Sequence, residues 1–477
     1  MNIKVKIMTP SKLLKKELTV PEYQRFYVWN QDKIEELIDD LKYFFENNKE
    51  DHNKYYLGTI LIHLETKKNT NKKIYNIIDG QQRIISLLII DYVLRKKRFP
   101  IKAEFNSKIT LKNINNNFKY ICSKSIKNIL PKNFLNKISF TVIYTKSEDD
   151  AFTFFDTQNG RGVNLAAVDY LKAYHLRAIK NTDLLNDTAQ KWDKNNRIKK
   201  DNESNNLNIL FYNILWRARK WKGNNLYFEN KDEILKEFQK HTDKNWDIDK
   251  IRYCYQINSL SDFNNNQDKS CIQENIIDII RNDNEKDYCF MLRQPIVEGI
   301  NFFLYTNKYN AVYDYLFNLP KNDDKQFQYF DNLYNCVYKN KISNYFKYFF
   351  ELLCVVYYDK FGENNFLKFA LYCDYLIGNH RIIKKKIYKE SIIKIIKDSS
   401  ENIIDVIFMA FDTEDVLSFI KDNTPEIDKN SEITYEGVIG EYRKSYINFI
   451  NTIGINLKND LDKENIISKI IEISNKL

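Results

Sequence analysis

The sequence predicts an α+β protein, with an α/β N-terminal domain over residues 1–180 and a large all-α region over residues 181–477. Three observations carry this expectation. Glycine (11) and proline (7) are scarce in 477 residues, which disfavours a sandwich or barrel with many tight turns. Strand-like segments are confined to the first part of the chain. From about residue 181 one helical pattern follows another, with no convincing strand and no fixed-period repeat. The length allows two or three domains, each with its own core. The polar stretches 192–208 and 261–270 read as loops or linkers, and the helical region is expected to subdivide near 261–285.

Each N-terminal element has a local reason. "VPEYQRFYVW" (20–29) is extended, because Pro21 and alternating aromatics disfavour helix. Asn30 is a good N-cap, and Ile34, Leu37, Ile38, Leu41 and Phe44/Phe45 then recur with helical spacing through residue 46. "YYLGTILIHL" (55–64) and "KIYNII" (73–78) read as strands paired across a polar turn. Residues 80–97 form a helix that is apolar nearly all round and is expected to be buried. "ISFTVIY" (138–144) is a further strand. Helices at about 147–158 and 165–180 flank "NGRG" (159–162).

Composition narrows the class of protein. The hydrophobic fraction is 43%, with 33 Tyr and 31 Phe, so a packed core is affordable and wholesale disorder is excluded. The formal charge of +10 is a mild bias that permits a polyanionic partner without demanding one. Seven scattered cysteines without a C-x-x-C pair indicate a reducing compartment, with Cys354 and Cys373 on apolar helical patterns. "MNIKVKIMTPSKLLKK" has no secretory h-region. The longest apolar run, "IISLLII", falls far short of the roughly 20 residues that span a bilayer. The expected location is cytoplasmic.

Three polar islands interrupt apolar sequence at element boundaries. In "YQRFYVW", Gln24 and Arg25 sit on opposite sides of a strand, so both cannot enter the core. An edge strand with a solvated arginine would explain this island alone. In "IIDGQQRIISL", Asp79-Gly80 turns into the buried helix, leaving first-turn N–H groups without intrahelical partners. A helix N-terminus favours anions, yet Arg83 stands there. Something negative is expected to meet it. The structural alternative has Asp79 capping the helix and Arg83 paired with a nearby carboxylate. In "FDTQNGRGVNLAAVDYLKAY", Asn159-Gly160-Arg161-Gly162 is a tight turn with free N–H groups, and Asp169 and Lys172 share a helix face. An intrahelical ion pair would explain that last pair. Clustered in one cleft, Arg25, Arg83, Arg161, Lys172 and Asp79 would suit a phosphate-rich ligand and a metal.

In this order and with these gaps, the three islands resemble the N-terminal domain of GmrSD-type restriction systems. The same domain occurs in SspE-type defence proteins that act with phosphorothioate-modified DNA. The resemblance is strong over about residues 10–180 and continues faintly to "RQPIVEGINFFLY" (293–305). It implies a ParB/sulfiredoxin-like α/β fold, and a D-G-Q-Q-R motif associated with nucleotide binding and hydrolysis coupled to phage DNA. Asp79, Gln81, Gln82 and Arg83 would then form the catalytic nucleotide site. Gln24, Arg25, Gly80, Asn159, Arg161 and Gly162, with Lys172, would line it. Asp79 is the candidate metal ligand. The cofactors expected are a nucleoside triphosphate and magnesium.

Many relatives carry a C-terminal HNH nuclease, which needs histidines to activate water and bind a metal. Here His52, His63, His175, His241 and His380 form no compact set, so no HNH nuclease is expected in this chain. No P-loop and no G-x-G-x-x-G fingerprint is present either. Two basic stretches with aromatic neighbours, "LWRARKWKG" (215–223) and "HRIIKKKIYK" (380–389), offer Arg217, Arg219, Lys220, Arg381, Lys384 and Lys385 to DNA. The structural alternative is an amphipathic helix with Trp216 and Trp221 inward and its charges solvated.

The functional expectation is an antiphage restriction component that binds and hydrolyses a nucleoside triphosphate. The alternative is a non-hydrolysing nucleotide- or DNA-binding module of a two-subunit system. Expected partners are DNA, including modified phage DNA, a separate nuclease subunit and further copies of the chain in a homo-oligomer. No membrane partner is expected.

Overall fold

The structure is a computed structural model. It describes residues 3–21, 27–48, 53–66, 72–96, 101–102, 108–124, 126–147, 166–179, 181–196, 206–239, 285–287, 290–319, 324–339, 342–427, 436–455 and 462–476. The chain divides into two units, Met1–Arg177 with Asn181–Asp193 and Ala178–Lys180 with Lys194–Leu477. The first is α/β and the second is helical. The first unit runs one helix past residue 180. Lys172 on the helix Ala167–Ala178 holds Asp193 on the helix Thr182–Asn195, with Nζ–O distances of 2.8 and 3.0 Å.

The first unit is built on a mixed six-stranded sheet of β1 (Ile3–Met8), β2 (Leu18–Thr19), β3 (Tyr55–Thr66), β4 (Lys73–Asp79), β5 (Ile101–Lys102) and β6 (Ile138–Thr145). The order is β1-β6-β3-β4-β2-β5. β3 and β4 are antiparallel, as their short polar connection requires. β3 and β6 are parallel, so the chain between them makes a long crossover that carries α3 (Gln81–Arg95) and α4 (Lys108–Ser123). Neither β1 nor α4 was anticipated from the sequence. Short α1 (Pro10–Leu13) follows β1, and α2 (Gln31–Asn47) starts where expected, with the Asn30 side chain accepting from Lys33 N–H.

Register divides the sheet into two faces. Ile60 and Ile62 on β3, Ile77 on β4, and Phe140 and Val142 on β6 join one apolar cluster with Ile34, Leu37 and Leu41 of α2 and with α3. α3 is buried at Ile84, Ile85, Leu87, Ile89, Ile90 and Leu94. Each such side chain contributes about 1.5–3 kcal/mol, so the helix is anchored by burial rather than by propensity. The opposite face carries two cross-strand rows. Val5, Ile143, Leu61 and Asp79 pair across four strands in one row, and Ile7, Thr141 and Thr59 form the other. A bulge between Tyr56 and Thr59 and an irregularity at Leu61/Ile62 interrupt the ladders beside these rows.

The second unit is helical throughout, with an isolated Lys222–Asn225 bridge as the β feature among its described residues. Its interior explains part of the tyrosine content. Glu351 accepts from Tyr313 (2.8 Å) and Tyr334 (2.6 Å). Asp374 accepts from Tyr338 (2.9 Å), Tyr442 (3.0 Å) and Lys463 (2.8 Å). Asp359 accepts from Tyr309 (2.9 Å) and Lys308 (2.7 Å). Tyrosine fills apolar volume and brings one donor, so it can satisfy a buried carboxylate from inside the core. Burial pushes the Glu351 carboxyl above its ordinary range. Among the described residues, no helix is long and apolar enough to cross a membrane.

Candidate functional site

The site is assembled where β4 ends and α3 begins. Gly80, not Asp79, is the N-cap, and it is left-handed with φ +96°. A side chain there would meet Ile60 Cδ1 at 2.1 Å, so glycine is required twice over. No side chain caps α3. Asp79 points from the last residue of β4 toward Arg83, with Oδ2 at 3.4 Å from Nη2. The structural alternative thus fails in its first half and holds in its second: Asp79 does not cap the helix, and it is the nearby carboxylate with which Arg83 pairs. Both partners remain accessible, at 31% and 22% exposure of the side chain.

Arg83 also reaches across to β3. Its Nη1 donates to Leu57 O (2.9 Å) and its Nη2 to Thr59 O (2.7 Å). These carbonyls flank the β3 bulge. Gly58 lies between them at φ +98°, and a Cβ there would sit 2.3 Å from Arg83 Nη1. The bulge thus bares two acceptors and clears the space that the guanidinium occupies. The bonds shown leave Nε–H and one Nη1 hydrogen for a ligand. Sequence reasoning passed over Gly58. Its signal was legible, because glycine inside an otherwise apolar strand marks a bulge or a close backbone approach.

The two glutamines have different roles. Gln82 is buried, and its Oε1 accepts from Val28 N–H (2.9 Å) and Trp29 N–H (3.2 Å). The same segment is held by α4: Asn113 donates to Tyr27 O (2.8 Å), and Asn117 donates to Tyr27 Oη (3.0 Å) and Trp29 O (2.8 Å). Tyr27 Oη lies 2.7 Å from Ser86 Oγ. Gln82 therefore positions the "YVW" segment rather than facing a ligand. Gln81 is 5% exposed, and its Oε1 has no hydrogen-bond partner among the described residues.

Gln24, Arg25, Asn159, Arg161 and Gly162 lie outside the described residues. Lys172 is described and 4% exposed, committed to Asp193 on the following helix. Burial pushes the Asp193 carboxyl upward against the pull of Lys172. The expectation that Lys172 lines the nucleotide site is corrected accordingly, since its ammonium is already satisfied inside the unit.

The basic stretches also require correction. Trp216 and Trp221 point inward, and so do the arginines between them. Arg217 forms a two-point pair with Glu229 (3.1 and 2.9 Å). Arg219 binds Glu237 (2.9 and 2.7 Å) and donates to Gln294 O (2.8 Å). At 3% and 7% exposure they are fastened into the core and do not form a DNA-facing surface. Lys220 pairs with Glu237 at 2.9 Å. Arg381 is 4% exposed and donates to Lys385 O (3.2 Å), which removes it from the surface as well. Lys384 is half-buried and Lys385 exposed.

Among the described residues, no three His, Cys, Asp or Glu side chains gather as a metal-binding group. Asp79 stands as a single accessible carboxylate. That donor set fits magnesium, which takes one or two carboxylates and completes its shell with phosphate and water. A cavity of about 610 Å³ opens between α3 and α4, lined by Val20, Ile77, Ile85, Leu88, Phe118 and their apolar neighbours. It belongs to the helix-covered face, whereas Asp79 stands in a row on the other face.

Residues 10–176 match the family model described as the GmrSD restriction endonuclease N-terminal domain. Residues 184–435 match a family of unknown function, DUF7834. No curated protein matches the chain. The protein is thus a component of a restriction or defence system. It belongs to the DUF7834 family and carries a GmrSD N-terminal domain ahead of the DUF7834 region.

Proposed function

We propose that this chain binds a nucleoside triphosphate at the start of α3 and hydrolyses it, coupling turnover to DNA sensing or to a partner nuclease. The observation that carries the reading is the uncapped first turn of α3. It is fixed by a left-handed glycine, has beside it a Gln81 Oε1 without a partner among the described residues, and has Asp79 and Arg83 accessible at its mouth. Backbone N–H groups of that turn would donate to the phosphate oxygens. Arg83, already held in place by Leu57 and Thr59, would stabilise charge on the transferring phosphoryl group. Asp79 would orient the attacking water and take its proton as the new P–O bond forms. The bond from the γ-phosphorus to the bridging oxygen breaks, and the electron pair leaves on the diphosphate. In its alternative role, Asp79 would hold magnesium, which would supply charge neutralisation when bound. Gln24, Arg25, Asn159, Arg161 and Gly162 complete the proposed site on the strength of the motif. Duplex contact by the second unit would rest on Lys384 and Lys385.

Purified protein with magnesium and each of the four ribonucleoside triphosphates is expected to release phosphate. Asp79→Asn is expected to slow release at least about tenfold, given the usual contribution of a general base, while binding persists. Release no faster than that variant, with every nucleotide, would overturn hydrolysis. A second reading, a module that holds nucleotide without turnover, is favoured by the internal commitments of Gln82 and Arg83. Calorimetric binding without phosphate release would establish it.

A further inference from the structure

We propose that Tyr56 is the platform on which the base of the bound nucleotide stacks, a role that rests on the nucleotide reading above. Tyr56 is 55% exposed, yet it is not a free surface side chain. Its hydroxyl donates to Thr141 Oγ1 (3.1 Å) and lies 3.3 Å from Thr59 Oγ1. The backbone end is fixed in β3. An aromatic ring held at both ends offers a flat apolar face to solvent with little conformational entropy left to lose on binding.

The location is as telling as the ring. Thr59 carries the carbonyl that receives Arg83, and Gly58 leaves open the space through which the guanidinium reaches the bulge. The Arg83 charge is felt at the phenol, which the two threonine contacts and that charge together hold below its ordinary pKa. A flat apolar surface beside a guanidinium and an uncapped helix start matches a ligand with an aromatic ring and a phosphate chain. Because the hydroxyl is committed to Thr141, the ring face is the part available to a ligand. Every base has a π-face, so stacking here confers affinity with little choice among bases.

The test uses the full-length protein and two probes, a nucleoside triphosphate and inorganic tripolyphosphate, which lacks a base. Tyr56→Ala is expected to weaken each nucleoside triphosphate about tenfold or more, within the range of base–aromatic stacking, and to leave tripolyphosphate unchanged. Tyr56→Phe keeps the ring and is expected to bind nucleotide close to wild type. Equal weakening of both probes by Tyr56→Ala, or unchanged nucleotide affinity, would overturn the stacking role alone. Failure of the wild-type protein to bind either probe would remove the phosphate site and the stacking role together.

Discussion

At the scale of single residues, the first-unit site depends on side chains that are absent. Gly58 makes room for Arg83, and Gly80 makes room for Ile60. Gly58→Ala is expected to cost about 1–3 kcal/mol, because alanine is strained at positive φ and its methyl overlaps Nη1. The cost should shrink in an Arg83→Lys background, where the guanidinium is gone. A double-mutant cycle by urea denaturation measures this, and additive costs would show that the two residues do not share the space. His380 offers a second residue-scale test. Burial first, then Lys384 and Lys394, depress its pKa from 6.5 to about 4, while Asp398 opposes them. The unfolded chain therefore binds more protons than the folded one between those values. Stability is fully present above pH 6.5 and declines as pH falls toward 4, by up to about 3 kcal/mol. His380→Gln should flatten this part of the stability profile, read from denaturation midpoints at pH 7 and pH 4.5.

At the scale of elements, α3 organises its surroundings through its first two turns. Gln82 and Ser86 meet the Tyr27–Trp29 segment, and Arg83 meets β3. Gln82→Ala would leave the Val28 and Trp29 N–H groups without their acceptor. A loss of about 1–3 kcal/mol is expected, as for orphaned polar groups, together with weaker nucleotide binding. Hydrogen exchange localises the effect, and the Val28 and Trp29 amides should lose protection before those of β3. Unchanged protection there would show that Gln82 is not what holds the segment. The helix of the second unit that looked like a nucleic-acid surface obeys the same logic of internal commitment. Its arginines sit beside Glu229 and Glu237, which the local sequence does not place next to them.

At the scale of the whole molecule, the second unit is held by carboxylates buried among tyrosines. Lys463, on the last helix Lys463–Lys476, is fully buried and bonds Asp374. Gly378 leaves the space that Lys463 Nζ and Tyr442 Oη fill. Lys463→Ala would strand Asp374 without its cation, at a cost of about 3–5 kcal/mol. The urea midpoint should fall accordingly, while Lys469→Ala, at an exposed position of the same helix, should have little effect. A small loss at Lys463 would mean that the tyrosines alone satisfy the carboxylate.

The sequence by itself determined the element types that follow from periodicity and burial. The 3.6-residue pattern and Asn30 gave α2, the all-apolar run gave α3, and alternating segments gave β3, β4 and β6. It also pointed to the GmrSD N-terminal domain, because the three polar islands, D-G-Q-Q-R among them, stand in a fixed order as local strings of residues. Short β1 and polar α4 were missed, since their stability comes from neighbours rather than from their own pattern. Only the tertiary structure decided which polar side chains face inward. Gln82, Arg83, Lys172, Arg217 and Arg219 all have partners outside their own helix, between 12 and 75 residues away. A charged side chain faces a ligand or a core according to which acceptors the fold brings within about 3 Å of it. Nothing local in the chain records that distance.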